Sequence, residues 1–80
     1  MTYVYLLQSE SDPTKTYLGV TASLRARLKT HNEGGSTHTS KHRPWKLVSY
    51  HAFESKDRAH EFEKFWKSGS GRAFAKRHFW

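Results

Sequence analysis

Residues Thr2 to Gln8 read TYVYLLQ, with Tyr3, Tyr5 and Leu7 on one parity and Val4 and Leu6 on the other. Alternation within a run of aromatic and aliphatic β-formers predicts a strand. The cluster SESDPTK around Pro13 interrupts it as a turn. TYLGVT, from Thr16 to Thr21, repeats the strand pattern, so the two runs are expected to pair as a hairpin with a loop of moderate length. After Ser23 the period changes. With Leu24 at 0° on a helical wheel, Leu28 and His31 fall within about 40° and Arg27 within about 60°, while Arg25, Lys29 and Thr30 point elsewhere. Ser23 suits an N-cap and Gly34-Gly35 a stop, which predicts a helix to about Asn32. STHTSKHR reads as a polar, basic loop, and Pro44 precedes a third strand, about Trp45 to Phe53. Ser55 can cap a second helix, with Asp57 in its first turn where the helix dipole favours negative charge; it runs to about Ser68. SGSGR then interrupts it, and a last short helix is expected over about Gly71 to His78. The order β-β-α-β-α-α predicts an α+β fold, a short three-stranded, largely antiparallel sheet flanked by helices, as one domain over residues 1–80.

That pattern leaves a small core. Eighty residues lie near the lower end of what folds without staples, and the chain has no cysteine to supply disulfides or thiolate metal ligands. Five Phe, four Tyr and three Trp must provide much of the interior. A cysteine-free chain fits a cytoplasmic setting. No apolar run approaches the roughly 20 residues of a membrane span, and the N-terminus has no basic region ahead of its short apolar stretch, so it reads as a strand and not as a signal peptide. Fourteen Lys and Arg against seven Asp and Glu give a net charge of +7. Such an excess favours nucleic acid as partner, through steering and counterion release. No helix joins a basic face to a broad apolar one, which argues against a membrane surface.

Polar side chains on packing faces carry the chemistry. A helix that only needed to pack would place apolar residues at Arg27 and His31, because a buried unpaired charge is costly. In DRAHEFEKFWKS, with Ala59 at 0°, Phe62, Glu63 and Trp66 cluster within about 60° while Glu61 lies near 200°. Glu63 is therefore expected on the packing face and Glu61 in water. Strand parity puts Tyr5 beside Tyr3, and Tyr17 on the face of Gly19, where the missing side chain leaves space that sheet packing does not require. Taken singly, each has a structural reading: a buried ion pair of Glu63 with Arg27, half-buried tyrosines, a satisfied core histidine. Together they assemble a carboxylate, a guanidinium, an imidazole and two phenols in a very basic chain, which suits phosphodiester chemistry. Zinc does not fit, for there is no cysteine and no HxxxH pair on a helix with a third ligand. SGSGR lacks the setting and ending of a phosphate-cradling loop, and Phe74, Phe79 and Trp80 read as core or dimer packing.

Tyr3-Val4-Tyr5, then Tyr17-Leu18-Gly19 after eleven residues, then Arg27 and the His31-Asn32 pair in the following helix, resemble the GIY-YIG nucleases. That superfamily includes the N-terminal nuclease domain of an excinuclease, and the likeness is greatest to its small stand-alone bacterial members. RPWKLVSY and EKFWKSGSGR resemble its third strand and the stretch around its metal-binding glutamate. The first motif departs from Gly-Ile-Tyr but keeps the key tyrosine, and the separate DNA-binding domain of the larger nucleases is not matched.

The resemblance implies an endonuclease that hydrolyses DNA phosphodiester bonds, structure-specific and at work in repair or recombination. It implies Tyr5, Tyr17, Arg27, His31 and Glu63 as catalytic residues, with Glu63 as the sole acidic ligand of Mg²⁺, or of Mn²⁺ as the alternative. Tyr5 is the first choice of general base and His31 its helper or substitute, with Arg27 and the metal easing ionisation of the phenol. Gly19, Arg25, Lys29, Asn32, His38, Lys41 and Arg43 are expected to contact nucleic acid. Branched, flap and single-stranded DNA are the candidate substrates, and a protein partner or a homodimer is a further expectation. The competing expectation is a nucleic-acid-binding module whose cleavage is weak or depends on a partner.

Overall fold

A computed structural model describes residues 1–35 and 39–68 of the chain. Its elements follow the hydrophobic pattern closely: β1 (Thr2–Ser9), β2 (Thr16–Thr21), α1 (Leu24–Asn32), β3 (Trp45–Phe53) and α2 (Lys56–Lys67). The sheet has the order β2-β1-β3, and both pairings are antiparallel. β1 is thus central, which explains why Val4, Tyr5, Leu6 and Leu7 are all buried whatever their parity. The last helix expected over Gly71 to His78, with Phe74, Phe79 and Trp80, lies outside the described residues.

Each face of the sheet has its own helix. Val4 and Leu6 on one face pack with Ala59 and Trp66 of α2, with Leu18, Val20, Phe53 and Phe62 around them. Tyr5, Leu7 and Trp45 on the other pack with Tyr17 and with Leu24 and Leu28 of α1. The helix ends are set by local chemistry. Ser23 Oγ accepts from Ala26 N–H and Ser55 Oγ accepts from Arg58 N–H, each satisfying a donor that the helix leaves open. α1 stops where Gly34 adopts φ +79°, a left-handed conformation that suits glycine.

The loop before β3 holds structure that its composition did not announce, a short 3₁₀ turn over Ser40–His42. Two buried polar residues tie this loop to the sheet. Ser9 Oγ donates to the His42 carbonyl at 2.5 Å. Thr39 is almost wholly buried, and its carbonyl accepts from Trp45 Nε1 at 2.8 Å. Asn32 fixes the start of β3 by giving Nδ2 to the Trp45 carbonyl (3.1 Å) and taking its N–H on Oδ1. Among the described residues no helix is long and apolar enough to cross a membrane.

Candidate active site at the edge of the sheet

The site begins with a missing side chain. Tyr5 pairs with Gly19 across the hairpin, and its ring lies over that glycine. A Cβ at Gly19 would fall 2.5 Å from Tyr5 Cζ and 2.8 Å from Cε1. Glycine therefore lets Tyr5 lean across the edge strand β2 while only 3% exposed. Gly19→Ala is expected to cost roughly 1–3 kcal/mol, the usual penalty of overpacking. It should also pull Tyr5 from its partner; thermal melts, with Tyr5 and His31 followed by NMR, would check both.

That partner is His31. The Tyr5 hydroxyl and His31 Nε2 share a hydrogen bond of 3.0 Å, and His31 Nδ1 is bonded to Thr39 Oγ1 at 2.7 Å. Tyr17 closes the group, its ring 4.8 Å from that of His31 and 6.1 Å from that of Tyr5. His31 is 1% exposed, and burial, reinforced by the charge of Arg27, lowers its pKa and keeps the imidazole neutral. With both ring nitrogens bonded, the ring is held in one orientation.

Burial and then Tyr17 raise the Tyr5 phenol well above its ordinary range; Arg27 pulls the other way and Glu63 adds to the rise. The sequence led us to expect positive charge to ease ionisation of this phenol. In the fold, Arg27 is outweighed because the oxygen sits in the core, where desolvation dominates.

Arg27 itself is a second correction. It does not share the packing face of α1 with Leu24, Leu28 and His31 but is exposed. Its offset on the wheel and its long stem let the guanidinium reach water at the margin of that face. Its charge still reaches both Tyr5 and His31.

Glu63 arrives from α2, which packs on the face of the sheet opposite Tyr5, and acts on the phenol through its charge. Its side chain is 22% exposed and Glu61 is exposed, as the wheel predicted. Lys67 Nζ donates to Glu63 Oε2 at 3.2 Å, and His60 Nδ1 stands 3.9 Å from Oε1. Among the described residues no three His, Cys, Asp or Glu side chains converge as a ready metal cage.

The fold brings Tyr5, Tyr17 and His31 into contact, with Arg27 and Glu63 acting on them. It does not gather the expected nucleic-acid contacts so tightly. Arg25, Lys29, Lys41 and Arg43 are exposed. Lys29 stands 3.9 Å from Glu33, and the Arg43 guanidinium lies against Gly34. Gly19 is covered by Tyr5, and Asn32 gives its amide to the Trp45 backbone, so both have structural work to do. His38 lies outside the described residues. Sequence reasoning missed Thr39, a loop threonine with no periodicity to flag it.

This three-stranded sheet, with the tyrosine–histidine pair on one face and the glutamate-bearing α2 on the other, is that of a GIY-YIG catalytic domain. The model of that family matches residues 1–77, and the chain belongs to it. A UPF0213 protein of Clostridium perfringens is 38% identical over 68 residues, which cover 84% of this chain and 71% of that protein. The solution NMR structure of a UPF0213 protein from Bacillus halodurans superposes with a TM-score of 0.56 at 34% identity, covering 96% of this chain and 82% of that one. The structure-specific endonuclease subunit slx1 of Schizosaccharomyces japonicus is 38% identical over 68 residues, 79% of this chain. The chain spans only 25% of that protein's length.

Proposed function

We propose that the chain is a metal-dependent endonuclease that hydrolyses DNA phosphodiester bonds, with Glu63 holding Mg²⁺ or Mn²⁺. The hydrogen bond between Tyr5 and His31, under the charges of Arg27 and Glu63, carries this reading. The donor set fits a hard ion that retains water: one carboxylate, with no cage of acids or histidines among the described residues. When bound, the ion supplies Lewis-acid stabilisation of the phosphate and of the departing oxygen.

The rest falls to the chain's own groups. A buried phenol is a poor base if it must become a free phenolate. Tyr5 avoids that state by passing its proton to Nε2 of the neutral His31 as it accepts one from the attacking water. Thr39 holds the imidazole in place for this transfer, and the Tyr17 ring keeps it in register. Arg27, exposed at the margin, offsets the charge that develops on the phosphate.

The relatives named as structure-specific endonuclease subunits support structured DNA as substrate, a role in repair or recombination, and a protein partner. The test is an end-labelled panel of duplex, single strand, flap, four-way junction and supercoiled plasmid, incubated with Mg²⁺, Mn²⁺ or EDTA. Cutting that EDTA abolishes is expected, and the preferred member names the substrate. Tight binding with no cutting on any member would replace this reading by that of a binding module.

A further inference from the structure

A cleft of about 310 Å³ opens beside the site, between the end of β2 and the two helices. Thr2, Val20, Thr21 and Ala22 form its neutral wall, and Arg27 from α1 faces Lys56 and His60 from α2. No acidic side chain lines it. Among the described residues neither Arg27 nor Lys56 is in an ion pair. An unneutralised group of cations around a concavity selects an anion, and this volume is at the small end of ligand sites.

α2 adds a direction. Lys56, His60, Glu63 and Lys67 recur at i, i+4, i+7 and i+11, spanning about 60° on the wheel, and so form one stripe along the helix. Lys56 stands about 10 Å along the axis from Glu63, at 1.5 Å per residue. The cleft at Lys56 and His60 therefore continues from the candidate metal ligand along α2, with Arg27 common to the cleft and the site.

We propose that this cleft is a nucleotide subsite, in which Arg27, Lys56 and His60 hold a phosphodiester of the substrate strand next to the one cleaved. This rests on the nuclease reading of the site for its substrate, but it is tested by binding alone. The wall of Val20, Ala22 and threonine hydroxyls suits a sugar-phosphate unit, and the lining holds no Phe, Tyr or Trp on which a base could stack. The subsite therefore recognises the backbone of a strand and not its sequence.

Binding is measured by fluorescence anisotropy on the full chain, in EDTA, with end-labelled single-stranded and flap oligonucleotides over a range of salt. Loss of one phosphate contact lowers the salt slope by about 0.7 on a single strand and about 0.9 on duplex, which near 0.15 M salt corresponds to about fourfold and about fivefold in Kd. Lys56→Gln is expected to show both changes. Arg58→Gln, equally charged but exposed on the far side of α2, is expected to show neither. An NMR titration with thymidine 3′,5′-bisphosphate should shift the amides of Thr21, Lys56 and His60, and Lys56→Gln should remove those shifts.

A Lys56→Gln chain with the wild-type slope and Kd, or bisphosphate shifts confined to other residues, would overturn the subsite. Cutting can persist in that case, which leaves the nuclease reading intact. Conversely, a chain that binds through Lys56 but never cuts would keep the subsite and remove the enzyme.

Discussion

Glu63→Gln is expected to lower metal-dependent cleavage by roughly 10³-fold or more while leaving the fold almost unchanged, because it removes charge where the metal's share of transition-state stabilisation is anchored. The amide has nearly the carboxylate's shape and keeps an oxygen to accept the Lys67 bond, so α2 loses little. The ion pairs given up are with exposed partners, Lys67 at 55% and His60 at 52%. Such pairs contribute about 0–1 kcal/mol. Melting temperature should therefore hold within a few degrees, and DNA binding in EDTA should be kept. Kinetics in Mg²⁺ beside a thermal melt would check both halves. A Glu63→Gln chain that cut at the wild-type rate would remove Glu63 from the mechanism. A large fall in melting temperature would instead make the glutamate a structural residue.

Much of this site was legible because the sheet and helices report their faces through period. Tyr17 and Gly19 share a face by strand parity, and the hairpin register then sets Tyr5 opposite that glycine. Glu63 and Glu61 separate by their angle on α2, and burial follows that angle. The stripe of Lys56 and His60 leading to Glu63 was present in the same spacing, but its meaning depends on α1 bringing Arg27 to the opposite wall. What stayed hidden belongs to loops and to electrostatics. Thr39 has no periodic signal, and only the folded loop shows that it holds His31 Nδ1. The wheel placed Arg27 near the packing face, yet a long charged side chain can leave that face at little cost, so angle alone could not decide its burial. The direction of the Tyr5 shift likewise depends on how deeply the ring is covered, a property of the assembled core.

His31→Gln separates the two halves of the proposed proton relay. Glutamine can reach toward the Tyr5 hydroxyl and accept its hydrogen bond, but it cannot take a proton. If Tyr5 hands its proton to His31, the variant should lose roughly 10²–10⁴-fold in rate, the range of general acid–base catalysis. The pH profile gives a second readout. His31 must be neutral to accept, and burial and Arg27 hold its pKa below the ordinary 6.5, so wild-type activity should fall only on the acid side of that value. His31→Gln should lose this acid limb, leaving whatever other groups impose.

Stability carries the same sign. Above about pH 6.5 the histidine is neutral in both states and contributes no pH dependence. As pH falls below that value the unfolded chain takes up the proton first, so stability is lost until the lowered folded pKa is reached. His51, also lowered by burial, adds its own share in the same direction. The variant should thus be less stable at neutral pH, where Thr39 loses its buried partner, yet show a shallower loss on acidification. Melting curves between pH 5 and 8, set beside cleavage rates over the same range, test both statements. A wild-type rate and an unchanged acid limb in His31→Gln would assign the proton to another acceptor and leave His31 as the residue that positions Tyr5.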